Sequence, residues 1–108
     1  MYSDFIQVAT ETLSRVGGAY EASGRSEDLA LYYLLLHEST LATLVALEPP
    51  QGSRPLHDLL QGWLATGRDV LRDRLEGRSP DRDEVAYGAA ATALFEELKR
   101  LAPGANGG

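Results

Sequence analysis

LALYYLLLHESTLATLVAL, residues 29–47, is the stretch whose reading decides the fold. It has the length and composition of a helix, yet its apolar residues do not keep to one face. At 100° per residue, Leu29, Tyr33, Leu36, Leu44 and Leu47 line one side. Leu34, Leu41 and Val45 line a second, and Leu31, Leu35 and Ala42 a third. Glu38 is its one formally charged residue. A helix that is apolar all round has to be covered on more than one side. In a chain of 108 residues that requirement sets both the architecture and the first functional expectation.

Working outward, turn signals bracket this helix. Ser26, Glu27 and Asp28 suit a helix N-terminus, where a short polar side chain caps and carboxylates meet the positive end of the dipole. Pro49 and Pro50 stop it, because a residue before proline is pushed out of the α region. Upstream, Ile6, Ala9, Leu13, Val16 and Tyr20 fall at spacings of three and four, a bundle seam, with Ser3 as expected cap and Gly24 as stop. Gly17 and Gly18 interrupt this helix and suggest a kink or a close helix contact. Downstream, Leu56, Leu59, Leu60, Trp63, Leu64, Gly67, Val70 and Leu71 share an arc of roughly 140°, opposite a polar face. A final helix opens at Ser79-Pro80-Asp81 and carries Tyr87, Ala91, Leu94, Phe95, Leu98 and Leu101 on one face. The small run at residues 88–91 is expected to permit close approach to a neighbour.

Short connections join antiparallel neighbours. The expectation is therefore one all-α domain over residues 1–108. It is an up-down-up-down four-helix bundle, with helices at about 3–22, 27–48, 54–76 and 80–101 and a frayed tail at 103–108.

Composition narrows function chiefly by exclusion. Without cysteine there is no disulfide, thiolate metal site or thiol nucleophile. A net charge of −6 argues against nonspecific nucleic-acid binding, which rests on cations neutralising phosphates. The acidity is uneven: residues 1–53 hold seven acids against two bases, and the remainder nine against eight. The start of the chain lacks a basic region followed by an apolar run, so no secretory signal is read there and a cytoplasmic location is expected. Residues 29–47 are long enough to test as a membrane span, but His37, Glu38, Ser39 and Thr40 sit at the centre, where an ionised carboxylate is costly. No membrane association is expected.

Chemistry-bearing constellations are few. His37 and Glu38 are the candidate polar site, since two titratable groups interrupting an apolar helix need partners. The structural expectation is a core histidine with its ring nitrogen capped and a Glu38–Arg68 ion pair at a helix edge. His57 is the only other histidine. In an antiparallel hairpin it lies about 12 Å along the axis from His37, at 1.5 Å rise per residue, too far for one metal ion. No metal and no cofactor are expected. Nucleophile elbows and phosphate-binding glycine loops are absent. The acid pairs Asp83-Glu84 and Glu96-Glu97 read as solvated surface, and the Arg-rich run at 68–84 as surface ion pairs. No catalytic residue is assigned.

The first expectation is a non-enzymatic interaction protein, such as an adaptor, regulator or small acidic chaperone. It would self-associate as a homodimer through the second helix, with Leu31, Tyr32, Leu35 and Ala42 as interface residues. The alternative is a bundle that binds a small molecule, or a minor enzyme, with an apolar pocket near His37, Glu38 and Trp63. A third reading is an acidic inhibitor that mimics nucleic acid. The terminal Gly107-Gly108 resembles a conjugation tail only in its two glycines.

Overall fold

The computed structural model describes residues 2–101. Four helices follow one another: α1 (Tyr2–Ala22), α2 (Glu27–Ala46), α3 (Arg54–Leu75) and α4 (Asp81–Leu101). There is no strand among the described residues. The architecture is an all-α four-helix bundle in which α1 packs on α2, α2 on α3 and α3 on α4. The backbones of α1 and α4 do not come within packing distance of each other. The bundle therefore has one open seam.

Two glycine-terminated turns set the antiparallel order. After α1, Arg25 N–H donates to Tyr20 O (2.9 Å) and Gly24 N–H to Glu21 O (3.1 Å). After α3, Arg78 N–H donates to Asp73 O (2.8 Å) and Gly77 N–H to Arg74 O (3.3 Å). Both are Schellman caps, which place the residue after the helix in the left-handed region. Gly24 (φ 76°) and Gly77 (φ 74°) occupy those positions, where a β-carbon would be strained. α2 ends two residues before the expected boundary. Leu47 is already extended (φ −88°, ψ 141°), ahead of the Pro49-Pro50 pair. α1 begins at Tyr2, so Ser3 lies inside its first turn instead of capping it. Ser26 and Ser53 stand at N-cap positions but their hydroxyls make no capping bond.

The core has two layers. Leu13, Leu44, Leu60, Leu64 and Leu94 form the larger one, drawing on all four helices. Tyr20, Ala30, Leu34 and Leu71 form a smaller one at the opposite end, without α4. Tyr33 packs against both. α2 is long and apolar enough to cross a membrane by length and composition; in this fold its inner side supplies Ala30, Leu34, His37 and Leu44 to the interior. Its outer side is uncovered: Leu31, Tyr32 and Leu35 are each about half exposed and Val45 more so, with Ala42 exposed beside them.

Several local expectations change. Glu38 pairs with Arg72, one turn beyond Arg68, while Arg68 binds its neighbour Asp69. Gly88 has open space around it and lies at the surface, so no helix comes close at that position. Asp83 and Glu84 are half-buried against α3 instead of solvated. Glu84 holds Arg74 at 2.6 Å. Asp83 hydrogen-bonds the carboxylate of Asp73, which keeps the Asp73 carboxyl below its ordinary range, with Arg78 adding to the effect. The same bond pushes the Asp83 carboxyl up.

Candidate functional site

The open seam between α1 and α4 is a cavity of about 800 Å3. α1 contributes Thr10, Leu13, Ser14, Gly17, Gly18, Tyr20 and Glu21 to its wall. These recur at three- and four-residue intervals, one face of a helix. The facing wall of α4 carries Glu84, Tyr87, Ala91, Leu94, Phe95 and Leu98. The floor is Tyr33 and His37 from α2 with Trp63, Gly67, Val70 and Leu71 from α3.

Five rings run through this space in series. Tyr20 and Tyr33 lie 5.8 Å apart, Tyr33 and His37 meet edge-to-face at 4.5 Å, and His37 and Trp63 follow at 6.5 Å. Trp63 stacks on Tyr87 at 6.2 Å with an interplanar angle of 26°. Aromatic pairs at such separations favour tilted and offset geometries. Here the result is a cavity whose lining is largely ring surface.

Two glycines make that arrangement possible. A β-carbon on Gly67 would stand 2.7 Å from His37 Nε2, 3.0 Å from its Cδ2 and 3.1 Å from Tyr87 Cε1. A β-carbon on Gly17 would stand 2.6 Å from the Tyr33 hydroxyl. The close contact expected around Gly17-Gly18 is thus a side chain, Tyr33, seated on the α1 backbone at Gly17 alone.

His37 is 1% exposed. Its Nδ1 is 2.8 Å from Tyr33 O. A carbonyl only accepts, so Nδ1 carries a proton and donates it. Burial holds the His37 pKa below the ordinary histidine value, against the smaller opposing effect of that bond. The ring is therefore neutral at pH 7, and Nε2 is a bare acceptor with no hydrogen-bond partner among the described residues. The Tyr33 phenol is pushed up to about 12, first by burial and then by Tyr87, Glu21 and Tyr20. It stays protonated.

At one end, charges close the cavity in compensating pairs. Arg74 donates to Glu84 (2.6 Å) and to the Tyr20 hydroxyl (3.3 Å). Arg25 bonds Glu21 at 3.2 Å. Two cations and two carboxylates leave the lining formally neutral.

His37 and Trp63 thus lie on one cavity, but Glu38 does not. It points along the outer α2–α3 edge to Arg72. His57 is buried elsewhere and fully engaged. Gln61 Nε2–H stands 3.0 Å from its Nε2, and its Nδ1–H reaches Tyr2 Oη at 2.6 Å. Gly17, Tyr20, Tyr33, Gly67 and Tyr87 are site residues that sequence reasoning did not assign. A glycine on the apolar arc of α3, one turn after Trp63, was the available signal.

Among the described residues no group of three or more His, Asp or Glu side chains is placed to hold a metal ion. Among the described residues the one hydrogen bond of His37 is to the Tyr33 carbonyl, not to a nucleophilic side chain. The arrangement is suited to enclosing a molecule. No protein-family model, no curated protein and no solved structure matches this chain.

Proposed function

We propose that the chain binds a small, neutral, planar molecule in the seam between α1 and α4. The observation that carries this reading is the cavity of about 800 Å3 with rings on its floor and no net charge on its wall. Ligand sites are typically concave, about 300–1,000 Å3, mostly apolar and lined by aromatic side chains with a few placed polar groups. This seam fits that description in size and chemistry.

Trp63 is the only tryptophan and lies on the floor, so its fluorescence reports occupancy directly. Titration with naphthalene is expected to change Trp63 emission saturably. Gly18 lies on the cavity wall with nothing within 4 Å of its β-position. Gly18→Leu places a side chain into the opening without a clash and is expected to weaken binding at least tenfold while the fold persists. A linear, non-saturating response in the wild type overturns the reading. So does undiminished binding in Gly18→Leu.

A second reading rests on a different surface. Leu31, Tyr32, Leu35 and Val45 are 51–63% exposed on the outer side of α2. Covering them with a second copy of the chain contributes about 1.5–3 kcal/mol per fully buried side chain before association costs. A homodimer through α2 predicts a concentration-dependent sedimentation coefficient at micromolar protein that Leu35→Glu abolishes. A monomer at all concentrations refutes it.

A further inference from the structure

We infer that the ligand of the α1/α4 cavity carries an N–H or O–H group that donates to His37 Nε2. This deepens the reading of the seam as a binding site and rests on it.

The Nδ1 proton of His37 is committed to Tyr33 O at 2.8 Å. Nε2 therefore presents a lone pair, and no described residue donates to it. Among the described residues no enclosed side-chain nitrogen or oxygen lacks a partner, so this lone pair is not sealed in protein but opens onto the cavity that His37 lines. The other groups beside this edge cannot serve. A carbon of the Tyr87 ring faces it, and Gly67 has no side chain. Two polar side chains of the wall are engaged elsewhere: Arg74 with Glu84 and Tyr20, and Thr10 with its own helix at Ile6 O. A molecule in the cavity that carries a donor can complete this pair.

The surroundings then restrict what carries it. Tyr33, Trp63 and Tyr87 offer ring faces, which favour a flat partner. The paired charges at the rim leave no surplus cation for a carboxylate or phosphate. A neutral phenol or an N–H heterocycle has the required face and donor; an aromatic acid or an aliphatic chain lacks one or the other.

The test compares 2-naphthol with naphthalene, the same ring system without the donor. One net hydrogen bond in a protein corresponds to a preference of about threefold to tenfold. Wild-type protein is expected to bind 2-naphthol more tightly by that factor. The ¹⁵N resonance of His37 Nε2 is expected to shift with 2-naphthol and to stay in place with naphthalene. His37→Phe is expected to bind both equally. The ¹⁵N measurement is made on wild-type protein, so it decides the matter even where His37→Phe does not fold. Equal affinities in the wild type overturn the donor inference and leave the binding site standing. A preference with an unmoved Nε2 resonance, or one retained in His37→Phe, does the same. Failure of both molecules to bind overturns the site and the donor together.

Discussion

Gly67→Ala is the sharpest test of how this cavity is built. The added β-carbon meets His37 Nε2 at 2.7 Å, Cδ2 at 3.0 Å and Tyr87 Cε1 at 3.1 Å. The imidazole cannot yield easily. It is 1% exposed, tied to Tyr33 O, and wedged between Tyr33 at 4.5 Å and Trp63 at 6.5 Å. Overpacking of this kind costs about 1–3 kcal/mol. Removing a mid-helix glycine returns about 0.8–1 kcal/mol of helix propensity. Overpacking is the larger effect, so the net runs from near zero to a loss of about 2 kcal/mol. Gly62 provides the control on the same helix. It is exposed, with nothing within 4 Å of its β-position, so Gly62→Ala should gain about 0.5–1 kcal/mol. Urea denaturation with a common m-value measures both. The expected separation is about 1–3 kcal/mol, or a melting difference of about 4–8 °C per kcal/mol for a chain of this size. If Gly67→Ala and Gly62→Ala shift the midpoint equally and in the same direction, position 67 is not a steric contact and the seating of His37 described above is wrong.

Further outcomes follow from the same groups. Gly17→Ala meets only the tip of Tyr33, at 2.6 Å from its hydroxyl, so it is expected to cost less than Gly67→Ala and to move the Tyr33 ring resonances in NMR spectra. The Tyr33 phenol has a folded pKa of about 12 against 10.0 unfolded, so its contribution is complete below pH 10 and is lost as pH rises towards 12. The urea midpoint of the wild type should therefore fall between pH 9 and pH 11.5 by more than that of Tyr33→Phe, and equal losses refute it. For His37 the folded pKa lies below the unfolded value of 6.5. Its contribution is present above pH 6.5 and is lost as pH falls, so His37→Phe should flatten the decline in stability between pH 7.5 and 5. The Glu38–Arg72 pair has side chains 35% and 48% exposed, and a double-mutant cycle is expected to return no more than about 1 kcal/mol.

The helices were legible because their ends are written in local chemistry: glycine where a left-handed residue is required at 24 and 77, and proline where helix cannot continue at 49. The uncovered side of α2 was legible too, since Leu31, Tyr32, Leu35 and Ala42 follow from periodicity alone. The cavity was not. Periodicity identifies which residues of a helix turn inward but says nothing about whether the facing side chains meet. Tyr87 and Phe95 fall on one apolar face of α4, yet Phe95 is 65% exposed because no helix covers it. The Glu38 partner moved from Arg68 to Arg72 for a related reason. A pairing between helices depends on their axial register, which sequence spacing within one helix does not contain.

The open seam itself has a physical origin in side-chain volume. Thr10, Leu13, Ser14, Gly17, Gly18 and Glu21 occupy the face that α1 turns towards α4. With Tyr20 at the far end, Leu13 is the large apolar residue of this face, and it reaches Leu94 in the main core. Between Leu13 and Tyr20 the face offers only a hydroxyl and two glycines, across about one helical turn. Interiors are stable only near crystalline packing density. Drawing α4 against this stretch would therefore require bulk that α1 does not supply. The volume is met instead from below by Tyr33, His37 and Trp63, which are rigid and planar and cannot spread to fill an irregular gap as Leu or Met can. A bundle closed by small residues on one wall and flat rings on its floor retains a slot. The dimensions of that slot follow from the same residues that give it its chemistry.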